Sequence, residues 1–93
     1  MKFEGLLPLG SVVRLDPGEH RLMITGYAQR LQGKDEVCDY VACLWPEGHQ
    51  GPDQSYVFNR EKIHEVLFLG CQNDGQMALA EKIDAALADY RSK

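Results

Sequence analysis

The residues able to carry chemistry in this 93-residue chain are three histidines, three cysteines and fourteen carboxylates. An enzyme needs some of them held as a set, either a nucleophile beside its base or three ligands around a metal. His20, His49 and His64 are separated by 28 and 14 intervening residues, and each stands beside a turn. That is the spacing of exposed polar residues, not of a zinc triad. The sequence contains no H-E-x-x-H, G-x-S-x-G, Walker A or G-x-G-x-x-G pattern. Cys38, Cys43 and Cys71 have four and twenty-seven residues between them and form no C-x-x-C, which argues against a redox motif or a disulfide framework. Cys38 and Cys43 lie in the apolar run EVCDYVACLW, where free cysteine behaves as a small buried hydrophobe. Two residues an odd number apart on one strand point to opposite faces, so they do not converge on one metal ion. No catalytic, metal-ligating or cofactor-binding residue is assigned. The chain is expected to be a non-enzyme without a cofactor.

The charge balance narrows the partners. Ten basic against fourteen acidic residues give a formal charge of -4, which repels phosphate backbones and makes nucleic acid an unfavourable ligand. The first residues, MKFEGLLPLGSVV, hold a short apolar run interrupted by Pro8 and Gly10. They match neither a secretory signal nor a membrane span of about 20 residues. The expected location is the cytoplasm, with no membrane partner.

The elements that position these side chains are read from periodicity. Residues 10–15, GSVVRL, form a β-branched run ended by the turn sequence DPGE, and HRLMITGYAQRL, residues 20–31, is its return strand. Leu22 and Ile24 fall on one face, Met23 and Thr25 on the other, and Gly26 marks a bulge or bend. After the turn QGKD, residues 36–45 are apolar on both faces, as in a central strand. SYVF is a short strand, NREKI a single helical turn with Asn59 as its cap, and HEVLFLG the last strand. This order predicts an SH3-like small antiparallel barrel over residues 6–70. From Asn73 the period lengthens to 3.6 residues, which predicts an amphipathic helix over residues 74–91, with Asn73 or Asp74 as N-cap. The fold class is therefore α+β, mainly β, in one domain spanning residues 1–93.

Two surfaces compete for a partner. The loop PEGHQGPDQ has turn residues that force Glu47 and His49 into water, and Trp45 and Tyr56 flank it. Such aromatics anchor peptides in some folds and pack into the core in others, and core packing is the expected fate here. The helix carries Met77, Ala80, Ile83, Leu87 and Tyr90 on one stripe. The stripe is expected to cover an open face of the barrel, on the outward side of residues 38–44 with Leu67 and Leu69; the competing expectation is docking on a partner or on a second copy as a homodimer. The candidate partner-binding residues are Trp45, Glu47, His49, Tyr56, Ile83, Leu87 and Tyr90.

Read together, LLPLGSVVRL, RLMITGY, DYVACLWPEGHQGP and YVFNREKIHEVLFLG resemble a family of small uncharacterised proteins of Gram-positive bacteria. That family carries a domain of unknown function with an LLPxGSVV opening, a D-Y-V-x-C-x-x-P-E-G centre and an F-N-x-x-x-I-x-x-V end. The resemblance covers about residues 6 to 70. Its members are often encoded beside LXG-type toxins of the type VII secretion system. The resemblance thus implies a non-enzymatic accessory protein, an adaptor or chaperone, whose partner is an LXG toxin. The alternative is a small-barrel peptide-binding module outside secretion.

Overall fold

The computed structural model describes residues 5–15, 18, 20–30, 36–51 and 55–92. Among these residues five strands precede one helix: β1 (Val12–Leu15), β2 (Arg21–Arg30), β3 (Val37–Trp45), β4 (Tyr56–Phe58), β5 (Ile63–Phe68) and α1 (Asp74–Arg91), with a 3-10 turn at Arg60–Lys62 between β4 and β5. All ladders are antiparallel, and the sheet order is β4-β3-β2-β1-β5. β3 is interior, as its two apolar faces require. The expected barrel is not closed. β4 and β5 are the edges of the sheet, and no ladder joins them among the described residues. The DPGE and QGKD turns fall largely outside the described residues, as do Pro52–Gln54 of the long loop.

Gly26 bends β2 as expected. The β2–β3 register slips between Ile24 and Gly26, leaving Thr25 as the extra residue. The slip also reverses the alternation. Leu22 and Ile24 face the core at even positions, and beyond the bulge Tyr27 does so at an odd one, opposite Tyr40. With Val13, Ala42 and Phe58 these residues line the concave face, and Tyr40 packs tilted against both Tyr27 and Phe58 with ring centroids 6.2 and 5.5 Å apart.

The segment before β1 is fixed to this face by two phenols. Leu7 is fully buried; its N–H donates to the Tyr40 hydroxyl at 2.9 Å and its carbonyl accepts from the Tyr27 hydroxyl. Both backbone polar atoms of a buried residue are thereby paired outside any ladder. Burial pushes the Tyr40 phenol up to about 12, an effect that the Leu7 amide partly offsets. Further along, Ile24 N–H donates to Ser11 O at 2.8 Å and Gly10 N–H to Ile24 O at 2.8 Å, so the chain enters β1 already bonded to β2. The buried Ser11 Oγ accepts from Gly70 N–H at 2.9 Å, which fastens the end of β5 beneath the same turn.

α1 begins where its sequence predicts, with Asn73 Oδ1 accepting from Gln76 N–H at 2.7 Å. Ala80 and Leu87 are buried in the core cluster and Ile83 packs against it. The helix covers the part of the core beside Tyr27, to whose hydroxyl Gln76 Nε2 donates at 3.5 Å. Of the face expected beneath it, Tyr40 and Ala42 share the core cluster with Ala80 and Leu87, but Leu67 and Leu69 are not covered: both leucines are exposed. The inward face is rotated slightly from the predicted stripe, running through Gln76, Ala80, Ile83, Asp84 and Leu87. Met77 and Tyr90 fall at its rim and are exposed.

Close approach at Gly70 yields a test of this packing. A Cβ there would lie 2.3 Å from Leu9 O and 2.9 Å from Ser11 N, both backbone atoms. Gly70→Ala is expected to destabilise the fold by about 3 kcal/mol. Gly75→Ala, in the first turn of α1 where the nearest atom is 3.6 Å away, is expected to stabilise it by about 0.5 kcal/mol. Urea unfolding of both variants measures the contrast.

Candidate functional site

The largest concentration of polar groups surrounds Asp39, in the middle of β3. Its side chain is fully buried. Oδ2 accepts from the Arg60 backbone N–H at 2.9 Å and from Arg60 Nε at 3.0 Å; Oδ1 accepts from Arg60 Nη2 at 3.2 Å and pairs with Arg91 Nη2 at 3.0 Å. Arg60 Nη2 also reaches Asp84 Oδ1 at 2.7 Å. Asn59 is the residue preceding the 3-10 turn, but its side chain does not cap it. Instead its Oδ1 accepts from the Asp39 N–H and from Arg91 Nη2, both at 3.0 Å. Burial alone would raise the Asp39 pKa, but the bonds from Arg60 and the nearby Arg91 outweigh it and hold the carboxyl below its usual range. The same carboxylate drives the Arg60 pKa upward. Every strong position on Asp39 is taken by a donor of the chain itself. The cluster is a tie between β3, the 3-10 turn and α1, and it offers no free acid or base.

The other residues singled out by sequence are dispersed. His20, His49 and His64 are exposed on different elements. Among the described residues no group of three or more His, Cys, Asp or Glu could hold a metal ion. Cys38 and Cys43 are buried free thiols, as expected of small hydrophobes, and Cys71 is exposed.

The loop expectation needs correction in one respect. Trp45 and Tyr56 are 44% and 40% exposed and not packed in the core. Nor do they stand together. Tyr56 is opposite Ala42, on the core side of the sheet at its rim, whereas Trp45 is opposite Arg21, on the outer side. Glu47 and His49 are exposed as expected. Gly48 and Gly51 take φ of 83° and 125°, and Gly48 N–H closes the turn onto Leu44 O at 2.7 Å. Of the helix candidates, Leu87 is buried and Ile83 half-buried in the chain's own core, which leaves Tyr90 exposed.

A groove between side chains opens instead on the outer face, opposite the core. Register places Phe68, Val12, Met23 and Cys43 in one cross-strand row there and Glu65, Arg14, Arg21 and Trp45 in the next. A groove of about 620 Å³ is lined by Gly10, Val12, Arg21, Met23, Trp45, Leu67 and Phe68. Leu67 adjoins Phe68 here because β5 slips register against β1 between Val13 and Val12, and the extra residue breaks the alternation. Phe68 is 63% exposed and Leu67 40%. Arg14 is engaged with Glu65 at 3.1 Å; Arg21 has no ion pair among the described residues. Sequence reasoning missed this face because a bulge in an edge strand leaves no glycine or proline to mark it. A smaller pocket of about 210 Å³ lies beside α1, where the buried Gln76 Oε1 lacks a hydrogen-bond partner among the described residues.

Two measurements test these assignments. Folding lowers the Asp39 pKa, so its stabilisation is complete above the unfolded value of about 4 and is lost as pH falls through the lower folded value. Asp39→Asn is expected to cost about 3 kcal/mol near neutrality and to flatten the acid limb of the stability curve. Native-state thiol labelling is expected to be fast at Cys71 and slow at Cys38 and Cys43, and rapid modification of all three would contradict the burial.

Residues 6–79 match the family described as a domain of unknown function (DUF4176). No curated protein and no solved structure matches the chain. Among the described residues no helix is long and apolar enough to cross a membrane. The match spans the five strands, the 3-10 turn and the start of α1, and on that extent the chain belongs to the DUF4176 family.

Proposed function

We propose that this protein is a non-enzymatic accessory, an adaptor or chaperone that binds an LXG-type toxin in the cytoplasm for type VII secretion. The observation that carries the reading is the outer-face groove, which leaves Trp45, Leu67 and Phe68 in water on a sheet whose other face is filled by its own core and α1. Exposed apolar side chains lining one groove mark protein-binding surfaces. The most strongly held polar cluster, around Asp39, is consumed by internal pairs, which supports binding over catalysis. The motif segments that resemble toxin-associated proteins supply the partner class. We read the sheet as an opened SH3-like barrel, because β1 carries both β2 and β5 and a 3-10 turn separates β4 from β5. The same groove would serve a peptide-binding module outside secretion, and the identity of the co-purifying partner separates the two.

Co-expression with an LXG protein tests the proposal. Phe68→Glu is expected to reduce co-purification at least about tenfold while the melting temperature stays unchanged, since Phe68 is mostly exposed. Glu47→Ala with His49→Ala is expected to leave the complex intact. The opposite pattern would move the surface to the loop, and a protein that never captures the toxin would favour the module outside secretion.

A further inference from the structure

We infer that the outer-face groove receives an amphipathic helix, with a carboxylate of that helix placed to meet Arg21. This deepens the reading of the face as a partner surface and rests on it. The sheet edges argue against an added strand as the occupant. β4 has three residues, and β5 slips register twice against β1 within six. Short and bulged edges are the devices by which sheets resist further pairing. The face between the edges is the remaining apolar surface of the sheet.

Its dimensions suit a helix. Phe68 on β5 and Trp45 on β3 stand three strand spacings apart in the order β5-β1-β2-β3, or about 14 Å. A helix with its side chains is about 10–12 Å across. Phe68 and Trp45 thus form the walls, and Val12 and Met23 the floor. The bulge adds Leu67 to the Phe68 wall, so that side offers two large apolar contacts to successive turns of a ligand helix.

Charge sets the orientation. Arg14 is already committed to Glu65, whereas Arg21 lines the groove directly opposite Trp45 with no acid paired to it among the described residues. An apolar stripe bordered by Glu or Asp on the β3 side matches this pattern, and one bordered by Lys or Arg does not. The selection is local, because the chain as a whole carries a formal charge of -4 and repels acidic ligands at long range.

Trp45 is the single tryptophan of the chain, so its emission reports occupancy of the groove. Two synthetic helical peptides serve as ligands, each with leucines on one stripe and bordered either by glutamate or by lysine. The glutamate peptide is expected to blue-shift Trp45 emission saturably and to bind about tenfold more tightly than the lysine peptide. Arg21→Glu is expected to reverse that order, and Phe68→Glu to abolish the shift, with melting temperatures unchanged in both. Binding with no preference between the peptides, or a preference that Arg21→Glu leaves in place, would overturn the carboxylate assignment. Absence of any shift would overturn the helix as occupant. A blue shift that grows with protein concentration alone, with a doubling of mass, would replace the helix by a second copy. Loss of toxin co-purification in Phe68→Glu with no binding of either peptide would keep the partner reading and reject the helix. Peptide binding in a protein that captures no toxin would reject the partner and keep the groove.

Discussion

Asp39 carries a fully buried negative charge where three elements meet, and the surrounding architecture follows from the need to neutralise it. A carboxylate removed from water costs several kcal/mol unless cations and hydrogen bonds replace its hydration. Arg60 supplies a fork and a backbone N–H from the 3-10 turn, and Arg91 reaches back from the last turn of α1. Because these donors come from different elements, satisfying one charge fixes the entry into β5 and the pose of the helix together. Asp84 adds a second acid for Arg60, so the cation gathers a charge from the strand and another from the helix. The pairing explains why a sheet with two free edges still encloses a core: α1 is held over the concave end by directional bonds as well as by Ala80, Ile83 and Leu87.

Much of the fold was legible in the sequence. The change from period two to period 3.6 near Asn73 located α1, alternation located the strands, and Gly26 located the bend in β2. What was not legible follows from register. The slip after Ile24 moves Tyr27 to the core, and the irregularities of β5 carry Leu67 and Phe68 outward together; neither shift is encoded in the alternation. Closure of a barrel is likewise a property of edges, not of element order, and here the edges do not pair. The candidate site was legible only in part. Trp45 was singled out, but Glu47, His49 and Tyr56 do not line its groove, whose other residues come from β1, β2, β5 and the turn before β1. Asn59 was expected to cap a turn and instead serves Asp39 and Arg91, whose two donors take both lone pairs of its amide oxygen.

The segments that carry the family resemblance divide between two roles. Leu7, Gly10 and Ser11 set the path into β1, and Asp39 with Asn59 anchors the polar tie. These positions specify the scaffold. Val12 on β1 and Met23 on β2 face away from their core neighbours Val13, Leu22 and Ile24, and with Trp45 they line the groove. Alternation within one strand therefore serves both purposes, and substitution of a groove residue need not disturb the core behind it. The matched region ends at residue 79, whereas the side chains by which α1 grips the sheet, Asp84, Leu87 and Arg91, come later.

The clasp of two tyrosines on the Leu7 peptide has a consequence for cooperativity. Backbone amides in segments before a first strand usually exchange with solvent hydrogen by fraying, at little free-energy cost. The Leu7 N–H lies beneath the Tyr40 hydroxyl, in contact with a ring packed between Tyr27 and Phe58. It cannot reach water without disturbing the centre of the core. This amide should exchange with deuterium as slowly as those of β2 and β3, although it belongs to no ladder. In that sense the stable folding unit already includes Leu7, five residues ahead of the first strand.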